Sequence, residues 1–235
     1  MPPPVAIATM TLARTTAEEA LLHRSLTQLA ESGWPLAVTD GGSSAAFVAR
    51  LRDIRGINVY QASGLVSQVA TSVEAALTHD APAILYTEPD KLEFFADHLG
   101  QFVRLSQAGC RRLSLAMRSH DSFLTYPPHQ RTCETTINRC CRDQFGIDGD
   151  FSYGPFAMPR QLAARLTAMP AHLGWGWRHF AFAIAHRLGY DITMVQGPYS
   201  CPFDQRDEQE ADRRHRDRQL RENLEGLGLG MTAPL

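Results

Sequence analysis

From Val5 to Val103 the chain alternates short apolar runs with longer segments whose apolar positions recur every three or four residues. That is the pattern of strands feeding amphipathic helices in βαβ units. Val5 to Met10 reads as a first strand. Thr16 with Glu19 reads as a capping box, opening a helix whose inner face is Leu22, Leu26 and Leu29 and which ends near Gly33. Leu36 to Thr39 is a second strand, followed by the turn Asp40-Gly41-Gly42-Ser43 and a helix with Phe47, Val48 and Leu51 on its buried side. Ile57 to Tyr60 is a third strand. After Gly64, the spacing of Val66, Val69, Ala70, Val73, Ala76 and Leu77 predicts another helix. Ala83 to Tyr86 is a fourth strand, and Leu92, Phe95, Leu99, Phe102 and Val103 carry the helix after it.

The second half is less regular. Leu113 to Met117 reads as one more strand and 119–129, with Pro127-Pro128, as a loop. A helix from about Thr132 to Phe145 would turn Cys133, Ile137, Cys140 and Cys141 toward the core. Phe151 to Pro155 is an aromatic turn, and residues 160–168 form an Ala/Leu-rich helix. Gly174-Trp175-Gly176-Trp177-Arg178-His179 opens a helix carrying Phe180, Phe182, Ile184 and Leu188, stopped by Gly189 and followed by a strand from Ile192 to Val195. From Asp204 to Glu222 charges of both signs alternate, as in a solvated helix or arm, with Leu220, Leu224 and Leu227 as its apolar positions. The pattern predicts a single α/β domain over 1–235, a mostly parallel sheet flanked by helices. Its Rossmann-like half spans 5–105, a helical, less regular part spans 106–203, and a charged C-terminal helical arm spans 204–235.

Composition narrows the functional classes. At 235 residues and 44% hydrophobic the chain buries a full core. A net charge of −2 with interspersed signs leaves no electrostatic footprint for nucleic acid or an anionic membrane surface. No 18-residue apolar stretch is present and Met1-Pro2-Pro3-Pro4 lacks the basic start of a signal peptide, so the expectation is a cytoplasmic protein without a membrane span. The five cysteines, at 110, 133, 140, 141 and 201, include no CxxC pair and no histidine spacing of zinc-site type, and read as buried thiols.

The candidate chemistry lies where the fourth strand stops. Ile84-Leu85-Tyr86 runs into Thr87-Glu88-Pro89-Asp90-Lys91, and Lys91 is the single lysine among 23 lysine and arginine residues. In open parallel sheets ligands bind beyond the carboxyl ends of the strands, which is where Arg14, Asp40 and Glu88 to Lys91 all fall. Glu88 and Asp90 form an acid-x-acid pair suited to a divalent ion bridging a diphosphate, although such pairs also serve as caps and turn formers.

The order of these elements, with Thr39-Asp40-Gly41-Gly42-Ser43 after the second strand and Glu88-Pro89-Asp90 after the fourth, resembles the nucleotide-sugar glycosyltransferases of the GT-A fold. The stretch from Trp177 to Val195, with Ala185-His186-Arg187-Leu188-Gly189-Tyr190-Asp191-Ile192, resembles the acceptor-side helix and strand of the large inverting glycosyltransferase family. The resemblance covers roughly residues 5 to 200. It implies a hexosyltransferase with a nucleoside-diphosphate sugar donor and a small-molecule or saccharide acceptor. It also implies that Asp40 grips the uridine or guanosine end, with Arg14 and Gln68 near the same cleft, and that Glu88 and Asp90 flank the diphosphate and hold Mn²⁺ or Mg²⁺. Lys91 would then neutralise leaving-group charge.

Two departures from that family stand out. The metal motif begins with Glu and is stiffened by Pro89. The family's acidic pair at the start of the acceptor-side helix is absent, leaving His179, or Asp121 or Asp204 reaching in, as the candidate general base, or else a retaining mechanism or no catalysis. Tyr153, Trp175 and Trp177 are candidates for stacking on a sugar ring, although glycine-flanked tryptophans also occur where a ring lies against backbone. The alternative reading is a non-catalytic nucleotide-sugar or sugar binding protein on the same fold. A nicotinamide enzyme is disfavoured because no GxGxxG follows the first strand, and a nucleotidyltransferase because its Gly-rich loop would follow strand one, whereas Gly41-Gly42 follows strand two. For the charged arm, packing on a second copy in a homo-oligomer and folding back over the site both remain open.

Overall fold

A computed structural model describes residues 3–106 and 111–235. Cys110 and Met1-Pro2 lie outside the described residues. The chain forms two compact units, the described part of Met1–Arg112 with Pro155–Ala171, and Leu113–Gly154 with His172–Leu235.

The first unit is built on β1 (Ala6–Thr11), β2 (Leu36–Asp40), β3 (Ile57–Gln61), β4 (Ala83–Tyr86) and β6 (Phe156–Pro159), in the order β3-β2-β1-β4-β6. The first four pair in parallel and β6 runs antiparallel to β4, with Ala83 opposite Pro159 and Tyr86 opposite Phe156. Every residue of β1, β2 and β4 is buried, which is why they read as largely apolar runs without alternation. At the edge, β3 exposes three of its five positions. Helices α1 (Thr16–Ala30), α2 (Ala45–Arg52) and α3 (Leu65–Leu77) connect the parallel strands, and α3 packs on β1 and β2 through Val66, Val69 and Val73.

Some sequence readings need correction. The N-cap of α1 is Thr15, whose hydroxyl accepts from the Glu18 N–H at 3.2 Å, while the Glu18 carboxylate accepts from the Thr15 N–H at 3.1 Å. Glu19 instead accepts from the Ser44 hydroxyl at 2.6 Å and pairs with Arg50 at 2.7 Å, tying α1 to α2. The helix after β4 begins with a π-helical turn, Phe94–His98, before α4 (Leu99–Ser106). Strand β6 was not anticipated, because a four-residue run that follows Gly154-Pro155 and ends in Pro159 carries no periodicity to read.

The second unit contains β5 (Arg112–Arg118) and β7 (Asp191–Gly197). Their Ser114 and Thr193 hydroxyls are 3.0 Å apart. The stretch 119–129, read as a loop, holds the short α5 (His120–Leu124), capped by the Ser119 hydroxyl accepting from the Ser122 N–H. It also holds the start of α6 (Pro128–Phe145), where Pro128 suits the first turn because it has no N–H to satisfy. After α7 (Arg160–Arg165) of the first unit come α8 (Trp177–Arg187) and α9 (Glu210–Thr232) of the second. Residues Trp177 to Ala185 of α8 are all buried. The charged arm is the exposed first half of α9. Its second half packs on α8 through Gly226, Leu227 and Gly230, while Leu224 remains exposed.

Among the described residues no helix is long and apolar enough to cross a membrane. Cys133, Cys141 and Cys201 are buried free thiols, and Cys140 is half-buried.

Candidate functional site

In the first unit the ends of β1, β2 and β4 carry the polar groups. The loops after β1 and β2 are stitched together: the Ala13 N–H donates to the Ser43 hydroxyl at 2.9 Å and the Gly41 N–H to the Thr11 carbonyl at 2.8 Å. Asp40 closes the second strand and turns its carboxylate onto its own loop, Oδ2 accepting from the Gly42 and Ser43 N–H groups at 2.9 and 3.0 Å. The other oxygen, Oδ1, is buried and accepts no hydrogen bond among the described residues. Gly41 lies against the Gln68 side chain, and a Cβ there would stand 2.7 Å from Nε2 and Oε1, so a larger residue would displace the Gln68 amide. Gln68 is buried in the first turn of α3, and its Oε1 likewise accepts no hydrogen bond among the described residues. Two buried acceptors thus stand at one strand edge, each costing about 1–3 kcal/mol while it lacks a donor. Arg14 is exposed nearby in sequence, and its guanidinium forms no ion pair among the described residues.

At the end of β4, the Thr87 N–H continues the sheet by donating to the Ala8 carbonyl at 3.2 Å. Glu88, Asp90 and Lys91 follow, all half-buried. Lys91 Nζ is 3.6 Å from Asp90 Oδ1, close enough for attraction but beyond a hydrogen bond, and that Oδ1 is a buried atom without a hydrogen bond among the described residues. An oxygen held out of water beside a single ammonium is a donor that suits a hard divalent cation, so Glu88 and Asp90 fit Mn²⁺ or Mg²⁺.

The second unit treats its expected site residues differently. Asp121 is an exposed carboxylate in the first turn of α5, directly after β5. His179 is fully buried. Burial first, and the neighbouring Arg178 charge second, push its pKa down to about 3, only partly opposed by Asn223. In this conformation His179 is a neutral core residue that meets no solvent, and the general-base expectation is corrected on that ground. Trp177 is likewise fully buried, and Tyr153 is buried and stacked on Tyr199 with ring centroids 5.0 Å apart. As placed, neither ring offers a face to a sugar. Trp175 is half-buried, its ring edge-on to that of His215 at 5.9 Å, and its backbone N–H donates to the Glu222 carboxylate at 2.8 Å.

A site missed from the sequence surrounds Arg118 at the end of β5. Its guanidinium is gripped by both oxygens of Asp150 at 2.6 and 2.9 Å and by Glu134 at 2.7 Å. It also lies 4.4 Å from the ring centroid of Tyr126 and 4.7 Å from that of Phe123. Burial alone would raise the Asp150 carboxyl, but the Arg118 charge and hydrogen bonds outweigh it and hold the pKa below the ordinary value. Beside this pair a cleft of about 610 Å³ is lined by Arg118, His120, Asn138, Arg139, Arg142 and Asp150, among others. The one signal in the sequence was an arginine ending an apolar strand.

The chain has the GT-A fold of nucleotide-sugar glycosyltransferases. Its sequence matches no family model, and no curated protein matches it significantly. Among solved structures it is similar to glucosyl-3-phosphoglycerate synthase of Mycobacterium tuberculosis, at 16% identity and a TM-score of 0.66, over 98% of this chain and 82% of that one. That enzyme is also solved with UDP and with phosphoglyceric acid. A mannosyltransferase of Pyrobaculum calidifontis, in complex with GDP-Man and Mn²⁺, aligns at 14% identity and a TM-score of 0.57, over 100% of this chain and 77% of that one. Mannosyl-3-phosphoglycerate synthase of Rubrobacter xylanophilus aligns at 11% identity and a TM-score of 0.59, over 95% and 73%.

Proposed function

We propose that the protein is a hexosyltransferase that takes its sugar from a nucleoside-diphosphate donor and passes it to a small-molecule or saccharide acceptor. The observation that carries this reading is the set of buried acceptor atoms without hydrogen bonds, Asp40 Oδ1, Gln68 Oε1 and Asp90 Oδ1, at the carboxyl ends of parallel strands. Asp40 Oδ1 and Gln68 Oε1 would take the N–H donors of a uracil or guanine edge, with Arg14 beside the nucleotide. Glu88 and Asp90 would hold Mn²⁺ or Mg²⁺, which supplies the charge that makes a diphosphate a good leaving group. Lys91 adds a fixed cation to the same end. Support also comes from the similar proteins solved with UDP, with GDP-Man and Mn²⁺, and with a phosphorylated three-carbon acid.

A second reading, a nucleotide-sugar binding protein without transfer, is favoured by one observation: the helix that carries the family's acidic pair carries none here, and its His179 is buried and neutral. Asp121 and Asp204, both exposed, then remain as the candidate bases for transfer by inversion. Calorimetry with UDP, GDP and their sugars, with and without Mn²⁺, on the parent and on Asp90→Ala, tests the donor site. Binding that needs Mn²⁺ and is lost in Asp90→Ala is the expected result, and no binding of any nucleotide sinks both readings. Slow release of free sugar from the donor separates the transferase from the binder, which returns its ligand intact.

A further inference from the structure

Helices α6 and α9 pack together within the second unit, and three different donor side chains meet where they touch. His129 and Cys133 stand one helical turn apart on α6, so both face the same way, and Asp217 reaches them from α9. His129 Nε2 is 2.8 Å from Asp217 Oδ1, and the Cys133 sulfur is 3.7 Å from that nitrogen and 3.8 Å from that oxygen. Nitrogen, oxygen and sulfur donors bound to one tetrahedral ion at ordinary bond lengths stand about 3.4–3.6 Å apart. The two sulfur distances are already close to that geometry, and the nitrogen–oxygen pair has to open by about 0.6 Å to admit an ion.

We propose that His129, Cys133 and Asp217 form a binding site for one zinc-class transition-metal ion, with water as the fourth ligand, that clamps α9 to α6. The donor set selects the metal. A thiolate with an imidazole and a carboxylate suits Zn²⁺ or Co²⁺, whereas Mg²⁺ and Mn²⁺ prefer oxygen donors such as those at Glu88 and Asp90. Charge and access fit as well. Thiolate and carboxylate together neutralise a divalent ion, and the site runs from the buried Cys133 through half-buried His129 to exposed Asp217, so an ion enters from solvent.

Without metal the thiol is protonated, since burial and then the Asp217 and Glu134 carboxylates raise its pKa against the opposing charge of Arg216. On loading, the S–H bond breaks, its proton leaves to solvent, and the sulfur lone pair forms the metal bond. His129 contributes Nε2, whose hydrogen faces Asp217 in the empty site and on loading passes to solvent, while Nδ1 carries the one hydrogen of the neutral ring. The sequence concealed this set because a His-x-x-x-Cys pair on a helix is not a zinc-finger spacing, and the third ligand lies 84 residues from Cys133.

The test is a Co²⁺ titration of the full chain under reducing conditions, following the near-ultraviolet thiolate-to-cobalt band. The expected result is a band that saturates at one ion per chain, is bleached by Zn²⁺ and persists in excess Mn²⁺. Cys133→Ser abolishes it, Cys140→Ser and Cys201→Ser keep it, and Asp217→Asn, at an exposed helix position, weakens binding at least as much as the about tenfold loss seen when an outer partner of a metal ligand is removed. Circular dichroism of each variant reports its fold. Absence of the band in the folded parent, or its survival in Cys133→Ser, overturns the assignment.

Discussion

Two glycines, two residues apart in α9, are predicted to respond with opposite sign to the same substitution. A Cβ on Gly226 would lie 2.1 Å from the Gly176 carbonyl oxygen, 2.6 Å from its carbon and 2.8 Å from its Cα. All three are backbone atoms, so no side chain can swing aside, and α9 has to back away from Gly176 by about 1 Å. Overpacking of that kind costs about 1–3 kcal/mol, and a backbone clash sits at the upper end. Alanine returns about 1 kcal/mol of helix propensity, which leaves Gly226→Ala destabilised by about 2 kcal/mol. Gly228 is exposed, and a Cβ added there would meet nothing within 4 Å, so Gly228→Ala keeps the propensity gain and stabilises by about 1 kcal/mol. Urea unfolding in a Trp34→Phe background, where emission comes from Trp175 and Trp177 of the second unit, measures both. For a chain of this size a 2 kcal/mol loss is also a fall in Tm of about 4–8 °C. A Gly226→Ala variant as stable as the parent, or equal losses at both positions, refutes the close packing of α9 on α8.

His179 makes stability depend on pH. Its folded pKa of about 3 lies below the unfolded value near 6.5, so the unfolded chain binds the extra proton, and stability is lost as pH falls through that window at up to about 1.4 kcal/mol per pH unit. Urea midpoints between about pH 7 and about pH 5 should flatten in His179→Phe, and parallel profiles would show that the ring is solvated. Asp150→Asn leaves the buried Arg118 paired with Glu134 alone and disrupts its charge-assisted bidentate hydrogen bonds, which should cost about 1.5–3 kcal/mol by the same assay. Because the Asp150 pKa is depressed, its contribution is present above the unfolded carboxyl value and lost as pH falls below it, a loss the variant should no longer show. Asp40→Asn keeps one oxygen for the Gly42 and Ser43 amides and should change stability by under about 1 kcal/mol while weakening nucleotide binding about tenfold or more, read by calorimetry.

Strands β1, β2 and β4 were legible because they are buried on both faces, and their ends, like those of the edge strand β3, fall within one residue of the expected positions. The capping box was misplaced by one residue because Thr15-Thr16 and Glu18-Glu19 satisfy the same pattern twice, and only the fold decides which glutamate turns back and which reaches α2. The packing of α9 was not legible because glycine carries no hydrophobic periodicity, yet Gly226 and Gly230 are the surface on which α8 rests. Trp177 and His179 looked chemical because residue type was legible and burial was not: α8 is enclosed on every side at these positions.

The carboxylates of this chain divide according to how fully they are satisfied, and that division locates the ligand site better than residue type does. Asp150 receives hydrogen bonds from the Arg118 backbone and side chain, from Asn138 and from the Ser152 N–H, so both oxygens are engaged and nothing is left for a ligand. Asp40 is as deeply buried, yet only one of its oxygens is used. A folded chain tolerates such an orphan at a cost of about 1–3 kcal/mol, and Asp40, Gln68 and Asp90 each carry one. Mutation to a residue without the unpaired oxygen should therefore relieve the free protein while removing binding, the opposite of what a structural carboxylate does. If Asp90→Ala proves no less stable than the parent while Asp150→Ala unfolds it, the strand-end acids are held for a ligand; if both destabilise alike, they are parts of the scaffold.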